Sequence, residues 1–139
     1  MNDCIFCKIV EGEIPCYKLF EDDDVLAFLD ISQVTKGHAL VISKKHYDNL
    51  LTTPQEIVHK VMDVAQKIGQ VDIALMKAKG VNILANCYEA AGQTVMHFHV
   101  HVIPRYAEDE NLKIVFKPNE DKDLNLPSLA IKFKEELNK

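Results

Sequence analysis

One apolar run near residue 100 carries histidine at every second position. Single apolar residues separate the histidines, in the order His97, Phe98, His99, Val100, His101, Val102 and Ile103. Because alternate side chains of a β-strand share a face, this run predicts a strand with imidazoles about 6.6 Å apart on one face and core residues on the other. A chain with this run is therefore expected to build a sheet whose other face is buried.

The imidazole row indicates chemistry. An unperturbed pKa of about 6.5 lets histidine act near neutral pH as a nucleophile, a proton carrier or a metal ligand. Burying three imidazoles on an apolar strand is costly unless they are used. One alternative is a polar strand face whose histidines bond only to neighbours or water. Another is a metal hydrolase that uses alternate histidines as the ligands of an open site.

Cys4 and Cys7 form a C-x2-C pair close to the N-terminus. In a cytosolic chain such a pair indicates a metal knuckle or a redox pair rather than a structural disulfide. A tetrahedral zinc ion needs two further ligands, and His46 and His97 could supply them. The alternative is a pair of reduced thiols with no metal.

Length and charge limit the classes of function. A chain of 139 residues that is 47% hydrophobic is expected to form one domain over residues 1–139. The N-terminus lacks a basic region followed by an apolar stretch, and no apolar run reaches the roughly 18 residues of a membrane helix. We therefore expect a soluble, cytoplasmic protein with no membrane partner. The net charge of −5 disfavours nucleic acid, and the basic cluster over 36–46 favours a small anionic ligand.

The remaining pattern predicts an α+β domain in which an antiparallel sheet packs against one long helix. Further strands are predicted at 17–20, 25–29, 38–42 and 81–86. The sequence Thr53-Pro54-Gln55-Glu56 has a capping-box pattern and predicts a helix over 54–77.

The last third of the chain is less regular. Residues 106–123 are predicted to form a loop, with a short extended piece at 114–116. A closing helix is expected after residue 125, since apolar residues recur there at helical spacing, at Leu126, Leu129, Phe133 and Leu137.

The residues before the histidines complete a longer motif. Residues 92–103 read G-Q-T-V-M-H-F-H-V-H-V-I, which resembles the signature of the histidine triad family of nucleotide-binding hydrolases and transferases. The likeness extends over residues 4–105 and includes Ile5-Phe6, Glu13-Ile14-Pro15, Phe20-Glu21-Asp22, 26–32, Lys36-Gly37-His38 and Lys44-Lys45-His46. Residues 106–139 form a C-terminal extension outside it.

The resemblance implies a catalytic mechanism and a fold. His99, the middle histidine, would attack the α-phosphorus of a nucleotide and form a nucleotidyl-histidine, without a catalytic metal. His38 and His101 would complete the catalytic histidine set, and Thr94 would contact the leaving group. The implied histidine triad fold extends its sheet across a homodimer.

The resemblance also implies the ligand sites. Cys4, Cys7, His46 and His97 would hold a structural zinc ion. Asp30 would accept hydrogen bonds from the ribose hydroxyls. The other polar nucleotide contacts would come from Ser32, Asn86, Gly92, Gln93, Thr94, His99 and His101. An apolar slot for the base would be formed by Phe6, Ile9, Phe28 and Ile31.

The function favoured at this point is hydrolysis of purine nucleoside phosphoramidates, with release of an AMP-type nucleotide from an amine. Two alternatives share the site. Ile103-Pro104-Arg105 is similar to the dinucleoside polyphosphate hydrolase branch, and a nucleotide-binding sensor with little turnover would have the same binding residues. The chain departs from the family pattern at Glu89-Ala90-Ala91, where relatives often have glycine, and in lacking tryptophan.

Overall fold

The computed structural model describes residues 3–107, 110–121 and 123–139. Its elements, in chain order, are α1 (Ile5–Val10), β1 (Tyr17–Glu21), β2 (Val25–Leu29), β3 (Ala39–Ser43), α2 (Gln55–Ala74), β4 (Gly80–Leu84), β5 (His99–Arg105) and α3 (Leu126–Leu137). Two short 3-10 helices cover Leu50–Thr52 and Glu89–Ala91. No helix in these three ranges is long and apolar enough to cross a membrane.

The five strands form one antiparallel sheet in the order β1-β2-β3-β5-β4. The α+β fold with an antiparallel sheet, one long helix and a C-terminal helix is confirmed. The histidine-bearing strand, β5, lies between β3 and β4, where both of its edges are paired. A central strand is the most firmly held part of a sheet, so its side chains are well positioned for chemistry.

The two faces of the sheet pack differently. On one face, alternate strand residues such as Val41 and Val100 pack with Val61 and Ala65 of α2 in a fully buried core. On the other face, α1 covers a smaller apolar cluster around Phe6, Leu26, Phe28, Leu40 and Ile42. The histidines of β5 lie on this second face, so α1 and β5 together define the site.

Three local predictions were wrong at the helix and strand ends. β5 begins at His99, because the backbone N–H groups of His97 and Phe98 donate to Val95 and Tyr47 at 2.9 and 2.7 Å rather than to a neighbouring strand. The Thr53 capping box does not form, since its hydroxyl donates to the carbonyl of Asn49 at 2.7 Å. α2 ends at Ala74 rather than residue 77, because Lys77 is in the left-handed region with φ of 60°.

One further difference concerns the start of the chain. The sequence pattern does not predict α1, a short helix capped by the Cys4 sulfur, which accepts the Cys7 N–H at 3.3 Å. Residues 112–121 belong to no helix or strand, in agreement with the predicted loop, and the extended piece at 114–116 stays a prediction. The closing helix is present as α3.

Candidate functional site

Three imidazoles meet on the α1 face of the sheet. His99 and His101 project from β5 with their ring centroids 5.2 Å apart. The pairing of β3 with β5 brings His38, which precedes β3, to the same place, and its ring centroid is 5.2 Å from that of His101. His97, just before β5, turns away toward the N-terminal segment, so the row predicted from the sequence divides into two groups.

His99 is held in one tautomer by the backbone. Its Nδ1 lies 2.7 Å from the carbonyl oxygen of His97, and a carbonyl can only accept a hydrogen bond. The proton of the neutral ring is therefore on Nδ1, which leaves the lone pair on Nε2. The ring of Phe6 meets the His99 ring edge to face, with centroids 5.0 Å apart, and fixes the plane of the imidazole.

His38 and His101 form a directed hydrogen-bond chain. The N–H of Val34 donates to His38 Nδ1 at 3.2 Å, so the proton of the neutral His38 ring is on Nε2. That Nε2 lies 2.9 Å from His101 Nδ1 and donates to it. His101 must then carry its own proton on Nε2. The network thus gives His101 a fixed donor beside a nucleophilic nitrogen on His99.

Burial keeps this group neutral near pH 7. Desolvation lowers the pKa of His38 and of His99, and it lowers the pKa of His101 to about 4. The Asp30 carboxylate opposes the shift in all three rings, since a nearby negative charge favours the protonated form. Neutral imidazole is the form that can act as a nucleophile.

The depressed pKa of His101 predicts an acid-sensitive fold. In the unfolded chain its pKa is near 6.5, so the unfolded state takes up a proton first as the pH falls. The free energy of unfolding should fall from pH 6.5 to about 4. Urea unfolding at several pH values should show a shallower fall for His101→Gln, whereas the exposed-site control His59→Gln should match the wild type. Parallel curves for all three proteins would contradict this origin.

A cavity of about 250 Å³ opens beside these histidines. Its polar lining comes from Asp30, Thr94, His99 and His101, and its apolar lining includes Phe6, Ile9, Phe28 and Ile31. The structure therefore brings the predicted base slot, ribose contact and catalytic histidines together around one space. Apolar walls with a few convergent polar groups are typical of small-molecule sites.

Asp30 has one carboxylate oxygen held and one available. Oδ1 accepts the N–H of Ser32 at 2.8 Å, while Oδ2 lies 3.6 Å from His38 Nε2, beyond hydrogen-bond distance. Gln33, which the sequence analysis missed, supports this arrangement because its amide donates to the carbonyls of Asp30 and His38. The position of Gln33 between Asp30 and His38 in one loop is the sequence signal that could have indicated this supporting role.

The Gln93 side chain is hydrogen-bonded within the protein. Its side chain is 2% exposed and fully used within the protein. The carbonyl oxygen accepts from Tyr88 N at 2.7 Å and from Asn49 Nδ2 at 3.4 Å, and the amide nitrogen donates to the backbone carbonyls of Asp48 and Val95. These bonds fix the loop that carries Thr94. The contact of Gln93 with nucleotide stays a prediction.

Three other predicted contacts lie outside the cavity lining. Ser32 is an exposed residue beside Asp30. Asn86 donates from Nδ2 to the carbonyl of Gly92 at 3.4 Å, and Gly92 has φ of 101°, which favours glycine. In this structure Asn86 and Gly92 therefore shape the loop that leads to Thr94.

The second group of side chains is a compact four-residue cluster. The ligand atoms of Cys4, Cys7, His46 and His97 all lie within 4.8 Å of one another. Cys4 Sγ is 3.3 Å from His97 Nδ1, and Cys7 Sγ is 3.3 Å from His46 Nδ1 and 3.5 Å from His97 Nδ1. Sulfur and nitrogen ligands of a tetrahedral zinc ion are roughly 3.6 Å apart, so these four residues fit the ion.

The outer contacts of the two histidines agree with metal ligation. His97 Nε2 lies 2.6 Å from the carbonyl oxygen of Ser43, and His46 Nε2 lies 3.2 Å from a carboxylate oxygen of Asp48. Each Nε2 is therefore a donor, so the lone pair of His97 Nδ1 faces both sulfurs and that of His46 Nδ1 faces Cys7 Sγ. A carbonyl or carboxylate behind a ligating histidine is the usual support of a zinc site.

Comparison with known proteins places the chain in a family. A model of the HIT domain matches residues 11–108. A crystal structure of a HIT family protein from Bacillus anthracis has a TM-score of 0.89 and 46% sequence identity, and the alignment covers 97% of each chain. The fold and the histidine cluster thus define a protein of the histidine triad type. The chain belongs to the HIT domain family.

Two further relatives bear on the two clusters. A protein of Arabidopsis thaliana called adenylylsulfatase HINT3 is 44% identical over 111 residues, which are 78% of this chain and 55% of that protein. A zinc-bound histidine triad family protein from Mycobacterium smegmatis has a TM-score of 0.73 and 38% identity, and the alignment covers 95% of this chain and 96% of that one.

Proposed function

We propose that this protein hydrolyses purine nucleoside phosphoramidates, releasing AMP from an amine through a nucleotidyl-histidine on His99. The observation that carries the proposal is the fixed tautomer of His99. Its Nδ1 hydrogen is held by the His97 carbonyl, so the Nε2 lone pair is the nucleophile that this ring can offer. Membership of the HIT family and the neutral state of the ring support the same chemistry.

In the first step His99 Nε2 attacks the α-phosphorus, a P–N bond to His99 forms, and the P–N bond to the amine breaks as the leaving nitrogen takes up a proton from solvent. The Nδ1 hydrogen stays in place, so the ring becomes cationic. The His97 carbonyl and the Asp30 carboxylate stabilise that positive charge, because both favour a protonated-like ring. The Thr94 hydroxyl, on the cavity wall, contacts the leaving amine.

In the second step water attacks the same phosphorus, the bond to His99 Nε2 breaks, and AMP leaves with the water oxygen. The electron pair of the broken bond returns to Nε2 and restores the neutral ring, and the attacking water loses one proton to solvent. His101 Nε2–H, oriented by His38, stabilises the phosphoryl oxygens in both steps. The ribose hydroxyls donate to Asp30 Oδ2, and the base enters the apolar slot.

We also propose that Cys4, Cys7, His46 and His97 hold a structural zinc ion. A closed set of four ligands leaves no position for substrate, and the ion would tie α1 to the segment before β5. Because Phe6 of α1 packs on His99, this link supports the nucleophile without entering the reaction. The cytoplasmic location and the homodimer stay predictions of the sequence.

The leaving group is the least constrained part of the proposal. The sequence feature that favours dinucleoside polyphosphates is Ile103-Pro104-Arg105. The Arg105 guanidinium contacts Glu110 at 3.0 Å, Asn82 at 2.6 Å and the Leu112 carbonyl at 2.8 Å. The Arg105 guanidinium is therefore held by contacts with the start of the C-terminal segment. Adenylylsulfate is a second candidate substrate, since the HINT3 relative is called an adenylylsulfatase.

The test is single-turnover release of AMP with enzyme in excess. Adenosine 5′-phosphoramidate, diadenosine tetraphosphate and adenosine 5′-phosphosulfate are compared under one condition. We expect the phosphoramidate to react at least about tenfold faster than the others. The hydrogen-bond donors that line the cavity are enough for an amine leaving group. A faster reaction of either competitor would reassign the substrate. Tight nucleotide binding with no AMP from any of them would favour a sensor.

A further inference from the structure

The C-terminal helix has an apolar face that stays exposed among the described residues of the chain. At 100° per residue, Leu126, Leu129, Phe133 and Leu137 share one side of α3. All four are exposed, Phe133 by 62%, and none of the residues of α3 is buried. An isolated helix of 12 residues is marginal in water, so this face needs a packing partner.

An apolar groove on the body of the protein is also uncovered. It lies between β1 and α2, has a volume of about 550 Å³, and is lined by residues such as Leu19, Ile68, Val71 and Leu75. It is separate from the catalytic cavity, because α2 packs on the opposite face of the sheet from α1. Two of its side chains, Val71 and Leu75, are at least half exposed.

A buried acid in this groove lacks a partner. Asp72 of α2 is 3% exposed, and its Oδ2 has no hydrogen-bond partner within the described part of the chain. Burial raises the pKa of this carboxyl group to about 6. An unpaired carboxyl oxygen on the wall of an apolar groove favours an occupant that combines an apolar surface with a hydrogen-bond donor.

α3 has the matching chemistry. Lys134 and Glu136 lie on opposite flanks of its apolar face, at about 80° to either side of Leu126. In one of its two directions, a helix seated in the groove would bring the Lys134 ammonium toward Asp72 and Glu136 toward the lysines of the rim, Lys36 and Lys67. The charges are therefore complementary as well as the apolar surfaces.

The described residues 113–121, in the segment before α3, are all exposed. Asn111 and Leu112 are still attached, through hydrogen bonds to the Val34 carbonyl and from Arg105. Beyond them Val115 and Phe116 are exposed, Phe116 by 92%. The 14 residues from Leu112 to Leu126 can span up to about 46 Å, more than the width of a small domain. This arm is long enough to reach a neighbouring molecule, and its side chains Val115 and Phe116 are open to solvent.

α3 also belongs to the shared architecture of relatives. The alignment with the Bacillus anthracis structure covers too much of the chain to leave α3 out. A helix that is retained in this way while none of its residues is buried within the described part of the chain fits a second molecule as its packing partner.

We propose that α3 of one copy docks its apolar face into the groove between β1 and α2 of a second copy of this chain. Two exchanged helices would cover both grooves of a dimer and give each Asp72 a lysine partner. This docking uses none of the residues of the proposed chemistry, so the two proposals stand or fall separately.

The first test is photo-crosslinking of the full chain with p-benzoylphenylalanine in place of Phe133. Irradiation should produce a band at twice the chain mass, and its tryptic map should join α3 to the peptide 68–77 of the groove. The same probe at Glu135, about 160° from Phe133 around the helix, is the matched control and should give little product. Crosslinks within one chain, crosslinks to another surface, or equal yields at both positions would overturn the proposal.

The second test measures dimer dissociation by sedimentation equilibrium. Phe133→Asp should raise the dissociation constant about 100-fold, because it removes a large apolar side chain from the interface and adds a charge. Val71→Asp, in the groove, should have a similar effect, and Glu135→Gln should have none. Phe133 is exposed within its own chain, so its replacement leaves the fold intact. An unchanged dissociation constant for Phe133→Asp would refute the docking.

Discussion

His99→Ala is expected to lower the single-turnover rate of AMP release from adenosine 5′-phosphoramidate by at least about 10³-fold. Removing the imidazole removes the only atom placed to form the covalent bond, and the remaining donors can stabilise charge but cannot divide the reaction into two steps. The measurement is rapid-quench AMP release with enzyme in excess over substrate.

The controls separate lost chemistry from lost structure. His59→Ala, on the exposed side of α2, should leave the rate unchanged. His99→Ala should keep the wild-type circular dichroism spectrum and bind AMP, because the apolar slot and Asp30 are intact. Added imidazole should restore part of the rate by entering the vacated space and attacking phosphorus itself. A folded His99→Ala protein that still releases AMP at the wild-type rate would refute the assignment.

The second large effect concerns the metal cluster. Cys4→Ser should lower the melting temperature by roughly 10 °C and abolish stoichiometric zinc binding, while the chemical step of the protein that stays folded changes little. Zinc present at 1,000 times its dissociation constant adds about 4 kcal/mol to the free energy of unfolding, and loss of one of four ligands removes most of that. For a domain of this size, 1 kcal/mol corresponds to a few degrees.

Calorimetry and metal analysis of the purified protein check this prediction. Cys87→Ser is the matched control, since Cys87 is also a partly buried free cysteine but lies outside the cluster. Treatment of the wild type with a chelator should reproduce the Cys4→Ser shift, and added zinc should reverse it. Equal melting temperatures for Cys4→Ser and the wild type would show that the cluster is not a structural zinc site. Loss of turnover on chelation from a protein that stays folded would instead favour a metal hydrolase.

The sequence predicts the fold where its periodicity is simple. The alternation in β5 and the apolar spacing of α2 each depend on one buried face, and both elements are present. The failures are at ends and caps, where a local pattern competes with contacts from distant residues. Thr53 has the sequence of a capping residue, yet its hydroxyl donates to the backbone carbonyl of Asn49. α1 is too short to show a period, and sulfur capping by Cys4 is not a common helix signal.

The site could be predicted as a set of residues but not as an arrangement. Spacing alone predicts that His97 shares a row with His99. The strand begins after His97, however, and the His97 ring lies against the cysteines. The motif predicts that Gln93 contacts the nucleotide, but it does not predict that the Gln93 side-chain amide bonds to the backbone at Tyr88 and Asp48 and so holds the loop. Which nitrogen of His99 carries the proton depends on a carbonyl two residues away, and side-chain pattern does not reveal the direction of a carbonyl.

The stereochemical course of the reaction tests the central claim most directly. Adenosine 5′-phosphorothioamidate of a single configuration at phosphorus is hydrolysed in water enriched in oxygen-18, and the configuration of the product is determined. Two displacements, first by His99 Nε2 and then by water, predict overall retention. Inversion would show that water attacks the substrate directly and that no nucleotidyl-histidine is formed.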